Sequence, residues 1–137
     1  NNINNFKIHV FTNLNKKTMR FYKQSDYKEY IEINQYAPYF EFLNLTNLMD
    51  VLLIFDAETE GIKPYNPYVP SKLSDYRGST SKIWAFTEKN SVLDLTEEDN
   101  LYSVHQRDYH EYCKVFTKIA NNIGKPLYNV DNIKCLN

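Results

Sequence analysis

An apolar run of five residues, Val51–Phe55 (VLLIF), constrains the fold more than any other stretch of this sequence. An unbroken run of this length, ended by polar residues, is typical of a strand that is covered on both faces. The run is followed at once by two carboxylates, Asp56 and Glu58, and then by Gly61. The stretch therefore predicts a central strand whose carboxyl end carries acidic side chains.

Other segments are also expected to be strands, and the first of them, FKIHVFT, alternates apolar and polar residues. Turn-rich residues around Asn13–Asn15 suggest that the first two of these segments form a pair. The predicted strands are FKIHVFT, MRFYK, YFEFLNL and KIWAFTE, with VLDL as a hairpin partner of the last and PLYNV as a later return to the sheet.

Two segments have helical spacing. A short helix is predicted in SDYKEYIEINQYA, ending before Pro38, because a proline disfavours helix in the residue before it. A longer helix is predicted from the apolar stripe within Tyr109–Ala120, with a capping-box spacing between Ser103 and Gln106. We therefore expect an α/β or α+β fold, with a mixed central sheet and a C-terminal amphipathic helix packed on it.

The length of 137 residues predicts a single domain over 1–137, in which residues 1–5 are frayed and residues 62–80 form a long, proline-rich loop. The formal net charge of −1 removes the simplest electrostatic argument for binding nucleic acid. No apolar run approaches the ~20 residues of a membrane span. Because the first residue is Asn1, we expect a processed form or a fragment, and both an intracellular and a secreted protein stay open.

The composition is rich in tyrosine and poor in glycine, with 12 Tyr, 8 Phe and only 3 Gly. Abundant Asn and Tyr are typical of AT-rich genomes, and we expect a viral, phage or parasite source. Loops that cradle phosphates need several glycines for close backbone approach. The composition therefore disfavours Rossmann-type and P-loop nucleotide sites.

The two carboxylates after the apolar run could form a metal site. In a continuing strand, Asp56 and Glu58 would lie on the same face, because strand side chains alternate with a period of two. Paired carboxylate oxygens are suitable ligands for Mg²⁺ or Mn²⁺. The alternative is that Asp56 caps a turn while Glu58 faces solvent as part of an ordinary strand end.

The segment IFDAETEGIKP (Ile54–Pro64) resembles the first motif of the DnaQ-like, or DEDD, 3′–5′ exonucleases. The resemblance implies a metal-dependent nuclease in which Asp56 and Glu58 bind Mg²⁺ or Mn²⁺ and Thr59 helps to place the end of the substrate. It covers eleven residues, and the second and third motifs of the family are not found. If the family applies, the chain is an incomplete or degenerate member.

A second cluster of potential ligands lies in the C-terminal third of the chain. His110 and Cys113 are three residues apart on the predicted helix and share a face. Together with Cys135 and His105 they could bind Zn²⁺, although the spacing is not that of a standard zinc finger. Alternatively Cys113 is buried, or it forms a disulfide with Cys135 if the protein is secreted.

The segment PYNPYVP places Tyr65 and Tyr68 in a loop stiffened by prolines. Rigid, exposed tyrosines are typical of protein-recognition surfaces, and they could also stack on single-stranded bases. Arg77, in the polar segment DYRGSTSK, is a further candidate for partner binding.

The function favoured by the sequence is therefore a small non-enzymatic domain that binds a protein partner through its Tyr/Pro loop and needs no cofactor. The alternative is a Mg²⁺- or Mn²⁺-dependent nuclease-like domain, and only this alternative implies nucleic acid as a partner.

Overall fold

A computed structural model of the chain describes residues 6–123. The chain divides into two compact units, Asn1–Phe42 and Leu43–Asn137, so the single domain over 1–137 stays a prediction. The elements are β1 (Ile8–Thr12), α1 (Lys16–Gln24), a 3₁₀ turn (Lys28–Tyr30), β2 (Ile31–Gln35), α2 (Tyr39–Leu48), β3 (Val51–Phe55), α3 (Lys72–Arg77), β4 (Lys82–Thr87), β5 (Leu101–His105) and α4 (Tyr109–Asn122). The α/β class is confirmed.

The first unit contains a two-stranded parallel sheet in which β1 pairs with β2, from Ile8 opposite Ile31 to Thr12 opposite Gln35. The predicted strand MRFYK is wrong, because these residues lie in α1. The helix begins at an N-cap, Asn15, whose side chain accepts a hydrogen bond from the Thr18 amide at 2.9 Å.

The predicted helix in SDYKEYIEINQYA is also wrong, apart from the single 3₁₀ turn. Its second half is β2, in which Ile31 and Ile33 alternate with the exposed Glu32. The predicted strand YFEFLNL is instead part of α2. Pro38 directly precedes this helix, and its carbonyl accepts the first helical hydrogen bond, from the Phe42 amide at 2.8 Å.

The second unit contains a three-stranded parallel sheet in the order β3–β4–β5. The strands predicted at VLLIF and KIWAFTE are confirmed as β3 and β4. The predicted hairpin partner VLDL is wrong: its residues form turns, and β4 pairs with β5 instead. Parallel neighbours cannot be joined by a tight hairpin, so a longer connection separates these two strands. The predicted loop over 62–80 contains α3.

The core of the second unit lies beside the central strand β4. Five residues form one buried cluster: Ile54, Leu73, Ile83, Ala85 and Leu93. Ile83 and Leu93 are fully buried. Burying a Leu or Ile side chain of this cluster stabilises the fold by about 1.5–3 kcal/mol relative to an exposed side chain. The cluster fixes the sheet whose carboxyl edge carries the candidate site.

The C-terminal helix α4 packs on the sheet, as predicted. Its Tyr112 ring lies 5.2 Å from the Phe86 ring, and its Phe116 ring lies 5.8 Å from the Trp84 ring, measured between centroids. The predicted capping box is wrong, because Ser103 lies in β5. The N-cap is Asp108, whose side chain accepts from the Glu111 amide. None of the helices in residues 6–123 could span a membrane, and the predicted strand PLYNV lies outside the described residues.

Candidate functional site at the carboxyl edge of the parallel sheet

The candidate site is built by the three connections that leave the carboxyl ends of β3, β4 and β5. Because the strands are parallel, residues 56–71, 88–100 and 106–108 all begin at the same edge of the sheet. Ligand sites in open α/β sheets lie at the carboxyl ends of the strands. Side-chain hydrogen bonds join these three connections to one another.

Asp56 ties the end of β3 to the connection that follows β4. Its side chain is 7% exposed. Its Oδ2 atom accepts hydrogen bonds from the Glu88 amide at 2.9 Å and from the Ser91 hydroxyl at 2.5 Å. Its Oδ1 atom is buried and has no hydrogen-bond partner among residues 6–123. The carboxylate thus serves as an internal acceptor for two donors of the neighbouring connection.

The structure separates Asp56 from Glu58. The strand β3 ends at Phe55, so the alternation that would place both carboxylates on one face does not continue beyond it. Asp56 is buried, whereas Glu58 is exposed. The prediction that the two side chains share one face is therefore wrong, because it required the strand to continue beyond Phe55.

Metal ligation by the predicted residues stays a prediction. Among residues 6–123, no group of three or more His, Cys, Asp or Glu side chains is arranged to hold a metal ion. In the alternative cluster, His110 is exposed on α4 and Cys113 is half-buried and not a free thiol. Cys135 lies outside the described residues, so its predicted roles with His110 and Cys113 lie there too.

Glu88 is the centre of the network beneath the Tyr/Pro loop. Its Oε2 atom accepts hydrogen bonds from the Thr59 amide at 2.9 Å, from the Thr59 hydroxyl at 3.0 Å and from the Asn66 side chain at 2.8 Å. Partial desolvation alone would raise the pKa of the Glu88 carboxyl. The hydrogen bonds from Thr59, Asn66 and the Glu60 amide outweigh it and lower the pKa. Glu88 is therefore an ionised, fixed anchor at neutral pH.

Asn66 holds the Tyr/Pro loop, residues 62–70, onto this anchor. Its side chain is 2% exposed, and its Nδ2 atom donates to the Ala57 carbonyl at 2.7 Å as well as to Glu88. Its Oδ1 atom accepts from the Tyr68 amide at 3.1 Å. All the hydrogen-bonding groups of this amide are thus used inside the protein. Asn66 was not among the residues predicted from the sequence, although an Asn between two Pro-Tyr pairs is a signal for a fixed turn.

The loop that Asn66 holds has exposed apolar side chains. Tyr65 is 66% exposed and Tyr68 is 48% exposed, in agreement with the prediction that they are displayed. Ile62 and Val69, in the same loop, are also exposed. The Lys63 ammonium lies 4.7 Å from the centre of the Tyr68 ring, which restricts this side chain further.

Arg77, the third residue predicted to bind a partner, lies at the end of α3 and contacts Glu98. Its Nε atom donates to Glu98 Oε1 at 2.7 Å, and its terminal nitrogen contacts the same oxygen. Within residues 6–123, no hydrogen bond or ion pair joins Arg77 to Tyr65 or Tyr68. The structure thus places the two tyrosines in one loop and Arg77 in a separate element, paired with Glu98, and the role of Arg77 in binding a partner stays a prediction.

A polar crevice of about 200 Å³ lies at the same carboxyl edge. The Arg107 guanidinium forms an ion pair with Glu60 at 2.6 Å and so joins the connection after β5 to the one after β3. Gln106 donates a hydrogen bond to the Asp56 carbonyl at 2.9 Å and so joins the residues that follow β5 to those that follow β3. The crevice is lined by Glu58, Glu60, Thr87, Glu88, Lys89, His105, Gln106 and Arg107.

Comparisons of the chain with protein-family models, with curated proteins and with solved structures found no match. A functional assignment therefore depends on the geometry of the carboxyl edge. Two features stand out there: an exposed aromatic loop above a buried hydrogen-bond network, and a polar crevice beside it.

Proposed function

We propose that the protein is a non-enzymatic binding module whose Tyr/Pro loop, residues 62–70, is the contact surface for a protein partner. One observation carries the proposal. The loop buries the polar side chain at its centre, Asn66, and exposes the apolar side chains around it, Tyr65 and Tyr68. A loop that folded only for its own stability would gain more by burying the apolar groups.

The fixed geometry of the loop supports this role. Ordering a flexible loop on binding costs free energy, about 0.5–1.5 kcal/mol for each immobilised rotamer-rich side chain. The hydrogen bonds of Asn66 and the three prolines of the segment hold the loop before any partner arrives. Tyrosine is enriched in binding hot spots, because a large ring and a hydroxyl group contact the partner at low entropic cost.

We expect the double variant Tyr65→Ala/Tyr68→Ala to lose its partner while keeping its fold. Both side chains are exposed, so their removal changes stability little. The measurement is a pull-down from an extract of the source cells, with thermal melting of the same preparations. Any protein that the wild-type chain retains specifically should disappear from the eluate of the variant.

The matched control is Tyr27→Ala/Tyr36→Ala, which removes two tyrosines of similar exposure from the other unit of the chain. This control should retain the partner at the wild-type level. Equal retention by the loop variant and the control would refute the role of the loop. A lowered melting temperature of the loop variant would instead assign the two tyrosines to folding.

The nuclease-like alternative is proposed only as the second candidate. It requires that Asp56 and Glu58 bind Mg²⁺ or Mn²⁺ together, and Asp56 already accepts two internal hydrogen bonds. These bonds support a structural role for Asp56 and favour the binding module. The metal-dependent melting described in the Discussion distinguishes the two candidates.

A further inference from the structure

One face of helix α2 carries an asparagine between two exposed apolar side chains. Phe40, Asn44 and Leu48 are spaced by four residues, so their side chains form one row along the helix. Phe40 is 79% exposed and Leu48 is 75% exposed, and Asn44 is exposed between them. Within residues 6–123, the Asn44 side chain forms no hydrogen bond or ion pair. The row therefore presents apolar surface and an unengaged amide to solvent.

Asn44 is also the acceptor of an N-glycosylation sequon, Asn44-Leu45-Thr46. The sequence contains no other Asn-x-Ser/Thr triplet, although it is rich in asparagine. Side chains four residues apart on a helix are neighbours, with about 5–6 Å between their Cβ atoms. An oligosaccharide on Asn44 would therefore begin directly between Phe40 and Leu48. Glycans of this kind are bulky and solubilising, and sugar at this point would cover both apolar side chains.

The cysteines point independently to a compartment in which this modification takes place. Cys113, on α4, is disulfide-bonded. The sequence contains one other cysteine, Cys135, which lies outside the described residues. Disulfides form and persist in oxidising compartments such as the lumen of the endoplasmic reticulum, where the two electrons of the thiols pass to the disulfide of an oxidoreductase. N-linked glycans are attached in the same lumen.

The folded helix hides one half of the sequon. The Thr46 side chain is 3% exposed, and its hydroxyl donates a hydrogen bond to the Leu43 carbonyl at 2.7 Å. The Ser81 hydroxyl donates to the Thr46 carbonyl at 2.5 Å and fixes this turn of the helix further. A sequon is defined by its hydroxyl residue as well as by its asparagine. An enzyme therefore reaches both groups only before α2 has folded.

We propose that Asn44 carries an N-linked oligosaccharide, which is attached before α2 folds and then covers Phe40 and Leu48. Attachment joins Asn44 Nδ2 to the anomeric carbon of an oligosaccharide that is carried on a lipid diphosphate. The new C–N bond replaces the C–O bond to the diphosphate, the amide nitrogen loses one proton, and the lipid diphosphate leaves. The sequon lies outside the Tyr/Pro loop, so either proposal can fail without the other.

The test is mass spectrometry of the chain isolated from its source cells, before and after an amidase removes N-linked glycans in ¹⁸O-labelled water. The untreated chain should be heavier than its sequence predicts. The amidase should remove the excess mass and convert Asn44 to an ¹⁸O-labelled aspartate. An unmodified Asn44 would overturn the proposal, whatever the state of the cysteines.

Variants directed into the secretory pathway of a eukaryotic host separate the sequon from the other asparagines. Asn44→Gln and Thr46→Val should lack the added mass, whereas Thr46→Ser keeps a hydroxyl and should retain it. The matched control is Asn121→Gln, which changes an exposed asparagine of α4 outside any sequon and should be modified like the wild type. Added mass that persists in Asn44→Gln, or that is lost in Asn121→Gln, would contradict the assignment.

The covering role of the glycan is tested by sedimentation of the same secreted proteins. Asn44→Gln should keep its fold, because the side chain has no hydrogen bond to lose, but it leaves Phe40 and Leu48 uncovered. We expect it to self-associate severalfold more strongly than the glycosylated wild type. Adding Phe40→Ser and Leu48→Ser to this variant should reverse the effect. Equal self-association of Asn44→Gln and the wild type would refute the covering role.

Discussion

Replacing Asn66 with alanine is expected to lower the free energy of unfolding by about 2–3 kcal/mol, although the residue lies in a loop. The change removes two donated hydrogen bonds and one accepted bond. It leaves the Ala57 carbonyl, the Glu88 carboxylate and the Tyr68 amide without this partner. Urea denaturation of the variant and the wild type measures the difference directly.

Two further variants make the Asn66 prediction specific. Asn66→Asp has nearly the same shape but places a carboxylate where the amide donated to Glu88, so it should destabilise at least as much as Asn66→Ala. Asn44→Ala changes an exposed asparagine in α2 and should stay within about 0.5 kcal/mol of the wild type. A loss for Asn66→Ala no larger than that of Asn44→Ala would show that the amide does not anchor the loop.

The second large effect is expected for Asp56→Ala, which should lower the free energy of unfolding by about 2–4 kcal/mol without any metal present. The Ser91 hydroxyl and the Glu88 amide both lose their acceptor, and the Ser91 side chain is fully buried. Glu58→Ala is the control, since this neighbouring carboxylate is exposed and should cost less than about 0.5 kcal/mol. Chemical denaturation in a chelating buffer provides both values.

The same three proteins separate the binding module from the nuclease-like alternative. A ligand that binds only the native state raises the melting temperature. If Asp56 and Glu58 bind a divalent ion, millimolar Mn²⁺ should stabilise the wild type and neither variant. If Asp56 is an internal acceptor, Mn²⁺ should leave the melting temperature of all three unchanged, and this is the result we expect.

The elements that were predicted correctly from the sequence have a clear pattern of apolar residues along the chain. The strands β3 and β4 are nearly unbroken apolar runs, and α4 has a long apolar stripe. The errors fell on short segments, three of which are rich in aromatic residues: MRFYK, SDYKEYIEINQYA and YFEFLNL. YFEFLNL is predicted as a strand but lies in α2, because seven residues cannot distinguish the two periods and a proline can precede a helix as well as follow one.

In the candidate site, only residues with a local sequence signature could be predicted. Asp56, Tyr65 and Tyr68 were singled out because a carboxylate after a strand and tyrosines between prolines have local signatures. The residues that form hydrogen bonds to the connection after β3 have no such local signature. Glu88 meets Asn66 across 22 residues of sequence, and Ser91 meets Asp56 across 35. These contacts follow from the parallel pairing of β3 with β4, which no local pattern reveals.

The central claim, that the Tyr/Pro loop contacts a protein partner, is tested most directly by site-specific photo-crosslinking. A photoreactive phenylalanine analogue is placed at position 65 in one preparation and at position 36, another exposed tyrosine, in a second. After irradiation in an extract of the source cells, position 65 should give a discrete crosslinked species of fixed added mass, and position 36 should not. No such species at position 65, or the same species from both positions, would contradict the claim.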